Sequence, residues 1–198
     1  MKYIFYLTGK SSSGKDSIYG KLLGDRRLDL TPLLLSTTRP RREGEEEGRE
    51  YHFSNEGEYR SLSEKGEVIE CRTYETVHGP WRYFTVKQSV DGGADHYLGI
   101  GTLESYMQIR EYFGRDRVIP IYIEVDDGDR LIRAINREKA SGSPDYREMC
   151  RRFLADDEDF SEEKLERAGI GENHRFVNDD LSECIEKIGS MIIGYQGK

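Results

Sequence analysis

The chain has 198 residues, 35% hydrophobic and 34% charged, with a net charge of −8 at neutral pH. Such a size and mix give one globular domain with a full core, and the acidic balance excludes a broad nucleic-acid surface, which needs clustered Lys and Arg. No run of 18 apolar residues is present, so no membrane-spanning helix is expected. The three cysteines, Cys71, Cys150 and Cys184, are too widely spaced for a disulfide framework or a zinc site and are expected to be reduced core or half-buried residues.

In chain order, "MKYIFYLTGK" holds too short an apolar stretch for a signal peptide, so a cytoplasmic location is expected. "YIFYLT" (3–8) reads as a buried strand and "SIYGKLL" (17–23) as a helix. Between them lies "GKSSSGKDS", Gly9 to Ser17, whose G-x-x-x-x-G-K spacing falls at a strand-to-helix turn. Gly9 and Gly14 let the backbone of Lys10, Ser11, Ser12 and Ser13 curl with its N–H groups inward, the helix adds its positive end, and Lys15 supplies a point charge for terminal phosphates. Asp16 stands where such a loop usually carries the Ser or Thr that holds magnesium.

Further strands are expected at "PLLLST" (32–37), "EVIECRTY" (67–74), "HYLGIG" (96–101), "RVIPIYIEV" (117–125) and "HRFVN" (174–178). Helical patterns fall at "LESYMQIREYF", "DRLIRAINREKA" and "LSECIEKIGSMI". Strands alternating with helices predict an α/β fold, a mostly parallel sheet with helices on both faces. The region 36–92 breaks that alternation, with short strand-like pieces around one helical pattern, "EGEYRSLSEKG", and reads as an insertion that closes over something. "ASGSPD" (140–145) joins two Arg-bearing helices and has the composition of a mobile lid. The four histidines, His52, His78, His96 and His174, have no metal-ligand spacing and are expected to be structural or surface residues.

At "STTRPRREGEEEGREYHF" (36–53) the sequence resembles the guanylate kinases, which carry Thr-Arg-x-x-Arg-x-Gly-Glu followed by Gly and Tyr. Thr38, Arg39, Arg42, Gly44, Glu45, Gly48 and Tyr51 stand in the corresponding places. The resemblance runs from the phosphate loop through "GEVIE" and the Arg-bearing lid to "VNDD". It implies a P-loop kinase fold with a core (1–35 and 93–198), a small inserted subdomain for a nucleoside monophosphate (about 36–92) and a lid (about 137–152). Arg39 and Arg42 flank a proline that restrains the turn, so two guanidinium forks can converge on one phosphate, with Tyr51 adding a neutral hydrogen bond. The alternative is a solvated charge run paired with Glu43 to Glu47.

By the same resemblance Glu70 and Thr85 read guanine and Tyr83 matches a phosphate-binding tyrosine. A carboxylate facing the guanine N1–H and amino group makes two charge-assisted bonds that adenine does not reproduce; the bland alternative for Glu70 is a surface strand residue. Arg133 and Arg137 lie one helical turn apart, and the resemblance places Arg137 and Arg152 over the transferring phosphoryl group. Asn178, in "VNDD", either passes near the donor adenine or belongs to a cap of the last helix. Three features depart from the family pattern: "LGIG" puts Gly99 and Gly101 where two aspartates are usual, Leu35 replaces a base-contacting serine, and the segment from Glu70 to Thr85 is longer than usual.

The expected activity is ATP-dependent phosphoryl transfer to GMP or dGMP with Mg²⁺, carried by Lys15, Arg39, Arg137 and Arg152. A kinase with another acceptor, or a non-catalytic guanylate-kinase-like binding module, stays open. Asp16 is expected to hold the magnesium, directly or through a water, in place of the missing aspartates; Ser17 as the ligand, or Asp16 as a helix cap, are the alternatives. No nucleic acid or membrane partner is expected, and the chain is expected to work as a monomer or homodimer.

Overall fold

The computed structural model describes residues 2–76, 79–90 and 93–197. Strand β1 (Tyr3–Gly9) is buried along its whole length, as a central parallel strand covered on both faces must be. It pairs in parallel with β7 (His96–Ile100) on one side and β8 (Val118–Glu124) on the other. With β2 (Thr31–Pro32) beside β7 and β9 (Arg175–Val177) beside β8, the sheet runs β2-β7-β1-β8-β9, all parallel.

Successive residues of β1 point to opposite faces, so two cores form. Phe5 and Leu7 pack with Ile18 and Leu22 of α1 (Lys15–Gly24) and with Ile188 and Ile192 of α7 (Leu181–Gln196). Ile4 and Tyr6 pack with Tyr106 and Ile109 of α3 (Leu103–Phe113), with Phe160, and with Leu165 of α6 (Glu162–Arg167). Each fully buried aliphatic or aromatic side chain contributes about 1.5–3 kcal/mol. Helices α4 (Asp127–Ala140) and α5 (Tyr146–Asp159) contact each other beside this sheet, joined by the exposed polar residues 141–145.

"PLLLST" does not form one strand. Thr31–Pro32 joins the parallel sheet, whereas Ser36–Thr37 is β3 of a second sheet, ordered β4-β3-β6-β5. Leu33 and Leu35 are buried where the chain crosses over, which explains the apolar run without a continuous ladder. β3 is parallel to β4 (His52–Phe53) and antiparallel to β6 (Gly79–Val86), which pairs with β5 (Val68–Thr76). The short pieces expected here are thus, in β5 and β6, a long antiparallel ladder. Helix α2 (Glu56–Glu64) begins in a capping box in which Asn55 and Glu58 satisfy each other's backbone N–H groups. α6 has no counterpart among the sequence-based expectations.

Candidate active site

β1 delivers the chain to the phosphate loop at Gly9, and α1 leaves it at Lys15. Gly14 holds the left-handed conformation at φ 87°, and a Cβ there would lie 2.5 Å from Asn178 Nδ2. A Cβ on Gly9 would meet the Ile123 carbonyl oxygen at 2.8 Å. Both glycines are therefore required by packing as well as by curvature. The first-turn N–H groups of α1 at Lys15, Asp16 and Ser17 have no intrahelical acceptor, and no side chain caps them.

Much of the loop is held from behind. Asn178 Nδ2 donates to the Ser13 carbonyl at 2.8 Å and is buried, while the cap of α7 comes from Asp180, which accepts from the Glu183 N–H. Ser11 N–H donates to Asp156 Oδ2 at 2.8 Å, and Lys10 pairs with Asp157 at 2.7 Å. Arg130, fully buried, donates to the Ser11 carbonyl and pairs with Asp156 and Asp127. Two of the expected cradle members, Lys10 and the Ser11 N–H, are thus taken by α5 carboxylates. The hydroxyls of Ser12 and Ser13 are buried without a hydrogen bond.

In front of the loop, Lys15, Asp16 and Ser17 share a pocket of about 420 Å³ with Arg133, Arg137 and Arg152. The α4–α5 pair brings these three cations to the loop. Arg133 also donates to the Asn178 carbonyl at 3.1 Å, a loop-bracing contact that its helical spacing did not reveal. Arg152 lies 3.6 Å from Glu138 and from Glu148. Among the described residues, no group of three or more His, Cys, Asp or Glu side chains is placed to hold a metal ion. Asp16, exposed beside Ser17 in that pocket, suits a magnesium ion, which keeps several waters and takes one or two carboxylates plus substrate phosphates.

A second cleft, about 1720 Å³, reaches from Gly9, Lys15 and Asp16 to the β5–β6 ladder, exceeding the usual size of a single small-molecule pocket. Arg39 is only 3% exposed: it pairs with Glu45 at 2.7 Å, donates to the Tyr83 hydroxyl at 3.1 Å and to the Pro40 carbonyl, and sits over the Tyr51 ring. The Arg39 hydrogen bond holds the Glu45 carboxyl below its usual range. Arg42 is exposed and does not line the cleft; its backbone N–H goes to Glu45. Tyr51 and Tyr83 do line it, as does Arg49, which sequence reasoning passed over.

Glu70 is 2% exposed, so it is no surface strand residue. Its Oε1 accepts from the Thr85 hydroxyl at 2.7 Å, and Oε2 lies 3.5 Å from Arg72 Nε. Burial pushes the Glu70 carboxyl above its usual range, against the opposing pull of Arg72 and Thr85. Arg72 was missed, although its position two residues beyond Glu70 on a strand puts both on one face.

The glycines of "LGIG" have a packing cause. A Cβ on Gly99 would strike the Tyr6 ring at 2.7 Å, and one on Gly101 would overlap the Tyr6 hydroxyl and lie 2.6 Å from Ser105 Oγ. Tyr6, bonded to Ser105 at 2.7 Å and kept neutral by burial that raises its pKa to about 12, fills the space. Cys184 is buried and Cys71 half-buried, but Cys150 is exposed on α5, contrary to expectation. His52 is exposed beside Glu47, His96 stacks on Tyr3, His174 is half-buried, and His78 lies outside the described residues. No helix among the described residues is long and apolar enough to cross a membrane.

A guanylate kinase family model matches residues 2–194. The guanylate kinase of Porphyromonas gingivalis is 28% identical over the full length of both chains. That of Caldanaerobacter subterraneus is 28% identical, covering 96% of this chain and 86% of that protein. The crystal structure of guanylate kinase from Anaplasma phagocytophilum superposes with a TM-score of 0.68 at 19% identity, covering all of this chain and 87% of the other, and shares its fold.

Proposed function

Because this chain belongs to the guanylate kinase family, and so is a nucleoside monophosphate kinase with the P-loop kinase fold, we propose that it transfers the γ-phosphoryl group of MgATP to GMP or dGMP. The observation that carries this reading is one continuous cleft joining Lys15 to the β5–β6 ladder at Arg72 and Tyr83, with the three-arginine pocket at its loop end. Such an arrangement supports two anionic substrates meeting at Lys15.

Phosphoryl transfer of this kind needs no covalent bond to the protein, only alignment, exclusion of water and neutralised charge. The backbone of residues 9–15 with Lys15 would hold the donor phosphates, and Asp16 would hold the magnesium, which would supply positive charge against the negative charge developing on the phosphates. Arg137 and Arg152 would face the moving group, with Arg133 bracing the loop from the same helix. At the other end Tyr51, Tyr83 and Arg39 would meet the acceptor phosphate, Arg39 after exchanging Glu45 for it, and Arg42 would join only if the 36–92 segment closed inward. Glu70, supported by Thr85, would take the base. Asn178 acts through the loop backbone in this scheme rather than by touching the nucleotide.

The division into core, inserted monophosphate subdomain (36–92) and lid (137–152) suits this scheme, since β5 and β6 of the second sheet border the cleft and Arg137 and Arg152, at the two ends of the lid, line the pocket. A cytoplasmic monomer or homodimer is the setting we propose. The test is ADP release from MgATP with GMP, dGMP, AMP, CMP and UMP in turn. Activity with GMP and dGMP well above the rest is expected; preference for another acceptor, or no transfer to any, overturns the proposal.

A further inference from the structure

Cross-strand pairs run along one sheet face beside the cleft: Arg72 with Tyr83 and Tyr74 with Trp81 line it, and Glu70 with Thr85 lie buried behind Arg72. The Thr85 hydroxyl is committed to Glu70 Oε1. Glu70 Oε2 is buried with no hydrogen bond, and so is Arg72 Nε beside it. Buried polar atoms without a hydrogen bond are rare and costly; these two have only their mutual ion pair at 3.5 Å, and Arg72 lines the cleft. Among the described residues the two Arg72 Nη groups make no hydrogen bond either. Leu35, lining the same cleft, offers no side-chain donor.

A carboxylate oxygen and a guanidinium fork that meet only in a loose ion pair, 3.5 Å from Oε2 to Nε, present an acceptor beside donors. Guanine presents the complement: two adjacent donors, N1–H and the 2-amino group, next to the acceptor O6. Adenine turns a lone pair at N1 toward the carboxylate and an amino group toward the guanidinium, so both contacts fail together. We propose that Arg72 is a specificity-determining residue that donates to O6 of the acceptor guanine while Glu70 Oε2 accepts from its N1–H and 2-amino group. This rests on GMP being the acceptor. Arg72 thus supplies the donor that Leu35 does not, and its charge keeps Glu70 ionised for its own half of the recognition.

The experiment compares kcat/KM for GMP, 6-thio-GMP, which weakens the acceptor at position 6 and keeps both donors, and IMP, which lacks the 2-amino group. The unaltered protein is expected to prefer GMP over each analogue by roughly tenfold or more, the range of a hydrogen bond to a charged group. Arg72→Met, which keeps the stem and removes the donors, is expected to bring the GMP to 6-thio-GMP ratio close to one while the GMP to IMP ratio persists. Arg72→Lys keeps a positive charge beside Glu70 should the Met variant fold poorly, and its single point donor is expected to give an intermediate 6-thio-GMP ratio. An unchanged 6-thio-GMP ratio in the folded variants overturns the proposal, as does loss of the IMP ratio alone, which would make Arg72 only a support for Glu70. Absence of GMP phosphorylation by the unaltered protein removes the functional reading itself, a result separable from either.

Discussion

The Asn178 carboxamide donates to the Ser13 carbonyl at 2.8 Å, buried, across 165 residues of chain, and so ties the start of α7 to the phosphate loop. Asn178→Ala would leave that carbonyl without a donor and open space against Gly14, at a cost of about 1–3 kcal/mol. A lower urea midpoint together with a raised KM for ATP is expected. Asn178→Asp, which sets a carboxylate against the carbonyl, is expected to be worse; an unchanged midpoint in both would deny the brace.

The Lys15 side chain makes no hydrogen bond or ion pair among the described residues and lines the basic pocket. Lys15→Ala should therefore leave the thermal midpoint nearly unchanged, within about 0.5 kcal/mol, while phosphoryl transfer falls by roughly 10²–10³ or more. ADP release and thermal unfolding on one sample decide it. Transfer at an undiminished rate would place the donor elsewhere.

Asp16→Asn keeps size and hydrogen bonding but removes the charge. If Asp16 holds the magnesium, the metal concentration for half-maximal activity should rise by about tenfold, the worth of one charge-assisted contact. Ser17→Ala is the companion measurement. A shift in the serine variant and none in Asp16→Asn would give the role to the hydroxyl.

Burial raises the Glu70 carboxyl above its ordinary value of 4.5. Two opposite consequences follow with pH. The ionised form accepts the guanine donors, so kcat/KM for GMP should rise through the raised pKa, and Glu70→Gln should lose that limb together with about 1–3 kcal/mol of GMP preference over AMP. Stability runs the other way: the contribution of the neutral buried carboxyl is present below the unfolded value and is lost as pH rises through the folded one. Glu70→Gln is therefore expected to gain thermal midpoint relative to the unaltered protein at pH 8 more than at pH 4, measured in parallel scans.

Arg130 is fully buried between the Ser11 carbonyl and Asp156, with its guanidinium 4.6 Å from the Phe153 ring centroid. Arg130→Met leaves Asp156 half-buried with only the Ser11 groups as partners, and a loss of about 3–5 kcal/mol in urea unfolding is expected. Adding Asp156→Asn should restore part of it. A double variant no better than the single one would show that the buried charge is not the cause.

What the sequence by itself determined was local. The glycine spacing of Gly9 and Gly14 between an apolar strand and a helix specifies the loop because those dihedrals and N–H directions are set within a few residues. The alternation of strands and helices likewise gave the parallel sheet and its two covered faces. Glu70 and Thr85 were singled out only through the resemblance, as base readers; their hydrogen bond to each other, and the place of Arg72 beside Glu70, came from the structure. Contacts between distant parts of the chain decided the rest. Asn178 reaches Ser13, Asp156 takes the Ser11 N–H, and Tyr6 fills the space above Gly99 and Gly101, each across more than 90 residues. "PLLLST" was split between two sheets because Leu33 and Leu35 are buried at a crossover, where an apolar run looks the same as a strand interior. Arg39 and Arg42, equal in the sequence, differ because one is packed under Tyr51 and held by Glu45 while the other faces solvent. Periodicity records which face a residue takes; only packing records what stands opposite.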